Sequence, residues 1–479
     1  MEMQRLNPGM MERYEIGEHR PLSAGAVQFG MGPALLGALD RQIDGANAAL
    51  PPAARLGVAC VQAGEDGYAR RLDAQAGLYT ILVRGYRGEE ALRREDVCQC
   101  VLSAADPQAD PEALDRLAAD AGLWLGIVDA DSAPALAAVA RFLAARHRAG
   151  LPGLDFICAG DGEDAAECFW VGVLDRAPAE DGDFPGWLAR ENTASPALID
   201  SLVCRAGARE AARQCREMNY LDDMLHLAEP HVRVTVCAAE RLRARLGAKG
   251  APGLELADAE AFRAAWTLRR RVFDAGLCLM AAPGWLNGCD TLRDCMTGER
   301  LRRFVGGAFT GEILPALDEA GLPRDAVEAR VIESFARWEN PLTENGLLES
   351  SRGLLRRFRE GCLPVMARWA DAHFEPPRHL SFALAATVML YAGARRNPET
   401  GLYEVLRGRE AQPLRDDPEA LAVFATLSHD MPPESLAYAA LADRELWGRD
   451  LREIDGLEAR VALDIAAMQR RPDALPEED

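Results

Sequence analysis

The sequence predicts an α/β first half built on a doubly wound parallel sheet, followed by a mostly α-helical second half. Three observations predict it. Short apolar runs alternate with helical periodicity through the first half, the pattern of parallel strands joined by helices. A Gly-x-Gly turn, Gly30-Met31-Gly32, separates the first apolar run from the first helical stretch. From about Ala259 onward the pattern becomes long Ala/Leu/Arg-rich helical periods. A chain of 479 residues is too long for one core. Two domains are therefore expected, a Rossmann-like dinucleotide-binding domain over 1–258 and a helical substrate domain over 259–479.

The elements follow in order. Ala24 to Phe29 reads as a short buried strand and Pro33 to Ile43 as the next helix. Between them, Gly30 and Gly32 would let the backbone approach a pyrophosphate at the helix N-terminus. Leu56 to Gln62 reads as the second strand. A ribose-binding acid is expected near its end; here Gln62 stands there, with Glu65 and Asp66 just after. Tyr79 to Val83, Leu123 to Val128 and Leu154 to Cys158 read as further strands, with helices at Pro111 to Ala121 and Ala133 to Arg146. Cys98-Gln99-Cys100 lies in an apparent strand whose alternation puts both thiols on one face. Glu375-Pro376-Pro377 and Met431-Pro432-Pro433 are loop breaks. Leu268 to Met296 reads as a helix. At about 100° per residue, Arg269, Asp274 and Leu277 fall within about 140° of one another on it.

Composition narrows the function. The net charge is −21, which disfavours nucleic acid and an anionic membrane surface. No segment approaches the roughly 18 uninterrupted apolar residues of a membrane span. The charged N-terminus lacks the apolar core of a secretory signal. Twelve cysteines in a chain this long are too dilute for a disulfide scaffold, so a reducing, cytoplasmic setting is expected. His226 and His231 are five apart, not the four that suits two ligands on one helix face. No metal is expected. Lys249 is the only lysine; the other basic residues are Arg, with a few His.

Several segments together carry a resemblance. Ala26 to Asp44 gives a strand, Gly-x-Gly turn and helix. Gly77 to Gly85 is GLYTILVRG, Glu191 to Val203 is ENTASPALIDSLV, and Ala336 to Leu342 is ARWENPL. His379 to Gly393 is HLSFALAATVMLYAG, and Leu446 to Leu457 is LWGRDLREIDGL. In this order they resemble the long-chain polyol dehydrogenases, the family of mannitol dehydrogenase, fructuronate reductase and tagaturonate reductase (altronate oxidoreductase), with the last branch most similar. The family's catalytic helix resembles Lys-x4-Asn-x2-His, followed by Gly-Tyr-Asp-Thr-x3-Met. Here the GCDT of GCDTLRDCM fixes the frame, its Met296 standing one residue later than in that pattern, and counting back puts Arg269 at the Lys, Asp274 at the Asn and Leu277 at the His. The resemblance also sets Asp129-Ala130-Asp131-Ser132 at the loop facing the nicotinamide, and Pro196 at a substrate Asn. Val234 and Cys237 fall where the family carries Trp and Glu. Arg356, Arg357 and Arg359 fall in a segment resembling Lys-Phe-Lys…Leu-Pro.

The resemblance implies NAD(H) as cofactor and a sugar acid or polyol as substrate. The residues at the catalytic positions do not suit the family's chemistry. A guanidinium does not deprotonate in proteins, whereas a buried lysine amine can be tuned into a base. A carboxylate facing Arg269 is a weak base. The run Arg269-Arg270-Arg271 with Arg302 and Arg303 reads as an exposed basic helix face paired with Asp and Glu. Two expectations follow. One is a divergent NAD(H)-linked oxidoreductase acting on a hexuronate or polyol. The other is a catalytically silent homologue serving as a sensor, as a homo-oligomer or as partner of an active paralogue.

Overall fold

Runs of β-branched and small apolar residues become strands where both faces can be covered. The computed structural model describes all residues except 1–2, 14–15, 17–18, 65–66, 88–89, 178–182, 250–252, 319–321, 341–345, 351, 408–409 and 477–479. Glu65, Asp66, Pro341 and Leu342 thus lie outside the described residues. The chain divides into two units, Met1–Arg263 and Ala264–Asp479.

In the first unit the strands are β1 (Ser23–Phe29), β2 (Leu56–Val61), β3 (Tyr79–Arg87), β4 (Glu90–Cys98), β5 (Val101–Ala105), β6 (Leu125–Asp129), β7 (Asp155–Ala159), β8 (Thr193–Asp200), β9 (Val203–Arg205), β10 (His226–Ala228), β11 (Arg233–Cys237) and β12 (Glu255–Ala257). The main sheet runs β12-β11-β8-β7-β6-β1-β2-β5. The first strand is central, and the succession reverses between β1 and β6, the doubly wound order of a Rossmann sheet. From β5 through β8 all pairs are parallel, while β8 meets β11 antiparallel. Alternate residues of β1 feed opposite cores: Ala26 packs with Val58 and Ile127, and Val27 and Phe29 with Val128 and Phe142. Pro196 is tolerated inside the sheet because the β8–β11 pairing begins only at Ala197. A second sheet, β4-β3-β10-β9, holds the segment Gly77 to Gly85.

Two local expectations need correction. Cys98 closes β4, and Gln99 and Cys100 form the connection to β5 rather than a continuous strand. The thiols still meet, 3.6 Å apart and buried, because the chain bends there between two sheets. The first helix is also longer than expected, since Leu35–Leu39 is π-helical and Asp40–Ala49 continues it.

The second unit is mainly helical. Its central helix, Arg378–Tyr391, is apolar nearly all round and buried over most of its length. Ala275–Leu286 and Leu457–Arg470 pack against it. A small antiparallel sheet of β13 (Arg395–Arg396), β14 (Tyr403–Arg407) and β15 (Glu410–Pro413) interrupts the helices. The helix expected over Leu268 to Met296 is not continuous. It ends at Leu286, and a new helix, Leu292–Thr297, starts on a capping box between Thr291 and Asp294.

Candidate functional site

Two groups of residues singled out by the sequence occupy defined places. In the first unit, Gly30 and Gly32 lie at the C-terminal end of β1, beside the reversal of strand order. Gly30 has φ 105°, a conformation glycine adopts freely. Its N–H donates to Val61 O at 3.0 Å, fixing the turn to β2. A Cβ added at Gly32 would meet nothing within 4 Å, so the backbone there is open to close approach. These features fit a dinucleotide pyrophosphate.

Asp129 ends β6 at the same edge of the sheet. Its Oδ1 accepts from Asp131 N at 3.2 Å, and Asp131 Oδ2 accepts from Asp161 N at 2.6 Å. Ser132 caps the next helix by accepting from Ala135 N. These side chains therefore shape the strand-end loops. Gln62 has a similar task. Its amide donates to Asp106 at 3.2 Å and its carbonyl accepts from Ala69 N at 3.0 Å, stapling the loops after β2 and β5.

In the second unit, Arg269 and Asp274 come together, and the reason is a π-helical turn. Arg269–Asp274 is π-helical. On an α-helix residues five apart are separated by about 140°; a π-turn closes i to i+5 and stacks them. Arg269 Nη1 lies 2.5 Å from Asp274 Oδ1. Arg357 donates to the same oxygen at 2.5 Å, and Arg270 pairs with Oδ2. Asp274 is fully buried, and Arg269 and Arg270 are 7% and 2% exposed. Leu277 is also fully buried and belongs to the apolar interior. The expected exposed basic face is thus corrected. Arg269 and Arg270 point inward because Asp274 and Glu360 neutralise them, while Arg302 and Arg303 are exposed and pair with Glu339 and Glu299.

The cluster extends to residues that sequence reasoning missed. Arg269 and Arg337 lie over the Phe273 ring, 4.2 and 4.0 Å from its centroid, with Arg330 at 5.6 Å. Glu333 pairs with Arg330 at 2.6 Å and Arg337 at 3.3 Å. Glu360 pairs with Arg356 at 2.9 Å. Among the described residues, six guanidinium groups gather around three carboxylates here. Arg337 lies in ARWENPL, and Arg356, Arg357 and Glu360 in RRFREGCLP (356–364), but nothing in either segment shows that its arginines turn inward. Elsewhere, His226 is buried edge-on to Tyr79, and desolvation lowers its pKa to about 4. His231 lies 3.4 Å from Asp200.

Comparison with known proteins places this arrangement. No protein-family model matches the chain. The altronate oxidoreductase of Klebsiella pneumoniae (strain 342) is 26% identical over 491 aligned positions, covering 93% of this chain and 94% of that protein. The altronate oxidoreductase of Bacillus subtilis (strain 168) is 25% identical, covering 96% and 95%. Among solved structures, the mannitol 2-dehydrogenase of Pseudomonas fluorescens, a ternary complex with NAD and D-mannitol, shares the fold with TM-score 0.75 at 13% identity, over 98% of both chains. A substrate-free D-sorbitol dehydrogenase does so with TM-score 0.65 at 13% identity, over 98% and 99%. In fold and over nearly its full length, the chain is similar to the long-chain polyol (mannitol) dehydrogenases, and among them to altronate oxidoreductases (tagaturonate reductases).

Proposed function

We propose that the chain binds NAD(H) and an anionic sugar or polyol, and that the family's lysine-base route of hydride transfer is closed in it. The dinucleotide would sit on the Gly30–Gly32 turn of residues 1–258, with Asp129 and Asp131 at the strand ends beside it. When bound it supplies the hydride-carrying ring. The helical domain, residues 259–479, would hold the substrate.

One observation carries the second half of this reading. Both oxygens of Asp274 accept from guanidinium groups, from Arg269 and Arg357 at one and Arg270 at the other. Arg269 cannot give up a proton to become a base. Asp274 has both oxygens engaged by guanidinium groups, and Leu277 carries no polar atom. None of the three positions can accept the proton of an alcohol in the way general-base catalysis requires. What the cluster retains is the guanidinium fork, which suits a carboxylate. This supports a binding or sensing role toward a sugar acid; with it we propose a homo-oligomer or an active paralogue as partner and a cytoplasmic setting.

The test pairs binding with turnover. NADH fluorescence titration should show binding. Turnover of tagaturonate, fructuronate and fructose with NADH should be absent. Turnover that survives Arg269→Ala would show that the catalytic helix lies elsewhere. Turnover lost in Arg269→Ala would establish a divergent oxidoreductase that uses this arginine. No NADH binding at millimolar concentration would leave only the scaffold.

A further inference from the structure

The helical unit has a second basic site that shares no lining residue with the Asp274 cluster. It is a cavity of about 760 Å³ lined by Arg300, Arg303, Phe304, Gly307, Arg378, His379, Arg471 and Asp473, among others. We infer that it binds a small polyanion of the organic phosphate class.

The arginines come from three separate elements. Arg300 and Arg303 sit on Glu299–Ala308, Arg378 opens Arg378–Tyr391, and Arg471 follows Leu457–Arg470. Four guanidinium groups therefore converge, in a chain whose net charge is −21. A general excess of basic residues does not explain that. Among the described residues one carboxylate, Asp473, lines the cavity with them.

A buried acid beside the cavity, Glu312, is committed elsewhere. Glu312 is 4% exposed. Its Oε1 accepts from His379 N at 2.7 Å, and its Oε2 accepts from Leu380 N at 3.0 Å. It thereby caps the N-terminus of the central helix. The same Oε1 lies 2.7 Å from His379 Nδ1. This contact fixes the ring and directs Nε2 toward Gly307, where an added Cβ would come within 2.8 Å of it. Glycine at 307 is what makes room for the imidazole. An oriented ring nitrogen and converging guanidinium groups are the donor set that recognises phosphate oxygens. The volume suits a ligand of metabolite size.

Asp473 acts as an internal competitor. Its backbone oxygen accepts from Arg300 at 3.1 Å. Its carboxylate lies 3.7 Å from Arg300 and 3.2 Å from Arg471. A phosphate entering the cavity takes over these guanidinium contacts.

The experiment is isothermal titration of the full-length chain with inorganic pyrophosphate and, separately, with citrate, at low and high salt. Saturable pyrophosphate binding that weakens with salt is expected, tighter than citrate. Arg300→Ser/Arg303→Ser should weaken it by about tenfold or more, and Asp473→Asn should tighten it by about threefold. These side chains are exposed, so folding should persist, and far-UV circular dichroism checks it. Arg116→Ser, at an exposed arginine of the first unit, should leave pyrophosphate affinity unchanged. Absence of binding at millimolar pyrophosphate overturns the inference. So does binding untouched by the double variant, or binding abolished by Arg116→Ser. Citrate binding more tightly than pyrophosphate overturns the assignment to phosphate.

Discussion

Asp274→Asn changes one charge and almost no volume, so it isolates what the buried carboxylate does. Its oxygens accept from Arg269, Arg270 and Arg357, whose side chains are 8%, 2% and 14% exposed. An amide keeps one acceptor oxygen and presents an NH2 group in place of the other. At least one guanidinium then faces a donor, and all three lose the charge of Asp274, Arg270 keeping Glu360. Removing one partner of a buried ion pair costs about 3–5 kcal/mol. For a unit of this size each kcal/mol lowers Tm by about 2–4 °C, so a drop of about 10 °C is expected. Thermal unfolding followed by far-UV circular dichroism at neutral pH measures it. Adding Arg269→Met to Asp274→Asn should recover part of the loss, because one uncompensated cation is gone. The reasoning fails if the single variant melts within about 2 °C of wild type. That outcome would mean the carboxylate faces water and is available as a base.

Other consequences can be measured on the same protein. Gly276→Ala should destabilise by about 1–3 kcal/mol, because the new Cβ would sit 2.0 Å from the buried Trp338 ring unless that ring moves; an unchanged denaturation midpoint would show that the ring yields freely. Leu277→Ala should cost about 2–5 kcal/mol by opening a cavity, and a surface-like cost below about 0.5 kcal/mol would remove Leu277 from the interior. Asp40 is fully buried, and desolvation pushes its carboxyl up to about 7 from 3.8. Its folded pKa is raised, so the group costs nothing below about 3.8 and destabilises increasingly as pH climbs to about 7. Asp40→Asn should therefore match wild type near pH 4 and exceed it at pH 8 by up to about 4 kcal/mol in urea unfolding. A gap that does not vary with pH would contradict this.

Much of the fold was legible because it rests on local pattern. The strands β1, β2, β6 and β7 are short apolar runs, and Gly30-Met31-Gly32 marks the turn between the first strand and helix. The small sheet of β13, β14 and β15 was not legible, since its strands are short and largely polar. At Arg269–Asp274, a wheel drawn at α-helical pitch separates Arg269 from Asp274. The π-turn that joins them leaves no mark in a hydrophobic pattern. Burial of arginine was hidden for another reason. Arginine reads as surface unless its partner is known, and Arg357 is 83 residues away from Asp274. Such pairing is a property of the tertiary fold.

Under the family correspondence read from the sequence, the exchanges at 269, 274 and 277 form one physical change. A lysine base must be able to lose its charge in a buried place, and an asparagine beside it tolerates that neutral form. Arginine brings a charge that cannot be lost. Beside an asparagine it would lack this counter-charge, and a buried cation short of counter-charge is costly. Aspartate at 274 removes that penalty, and the π-turn brings its carboxylate to the guanidinium. Arg270 and Arg357 then gain an anion as well. On the proposed reading, in which proton transfer is not served there, an imidazole at 277 has no partner to hand a proton to, and leucine fills the space as part of the interior. Restoring lysine alone, by Arg269→Lys, should therefore not restore turnover. The new ammonium would stay paired with Asp274, and a paired, charged amine is no more a base than the guanidinium it replaces.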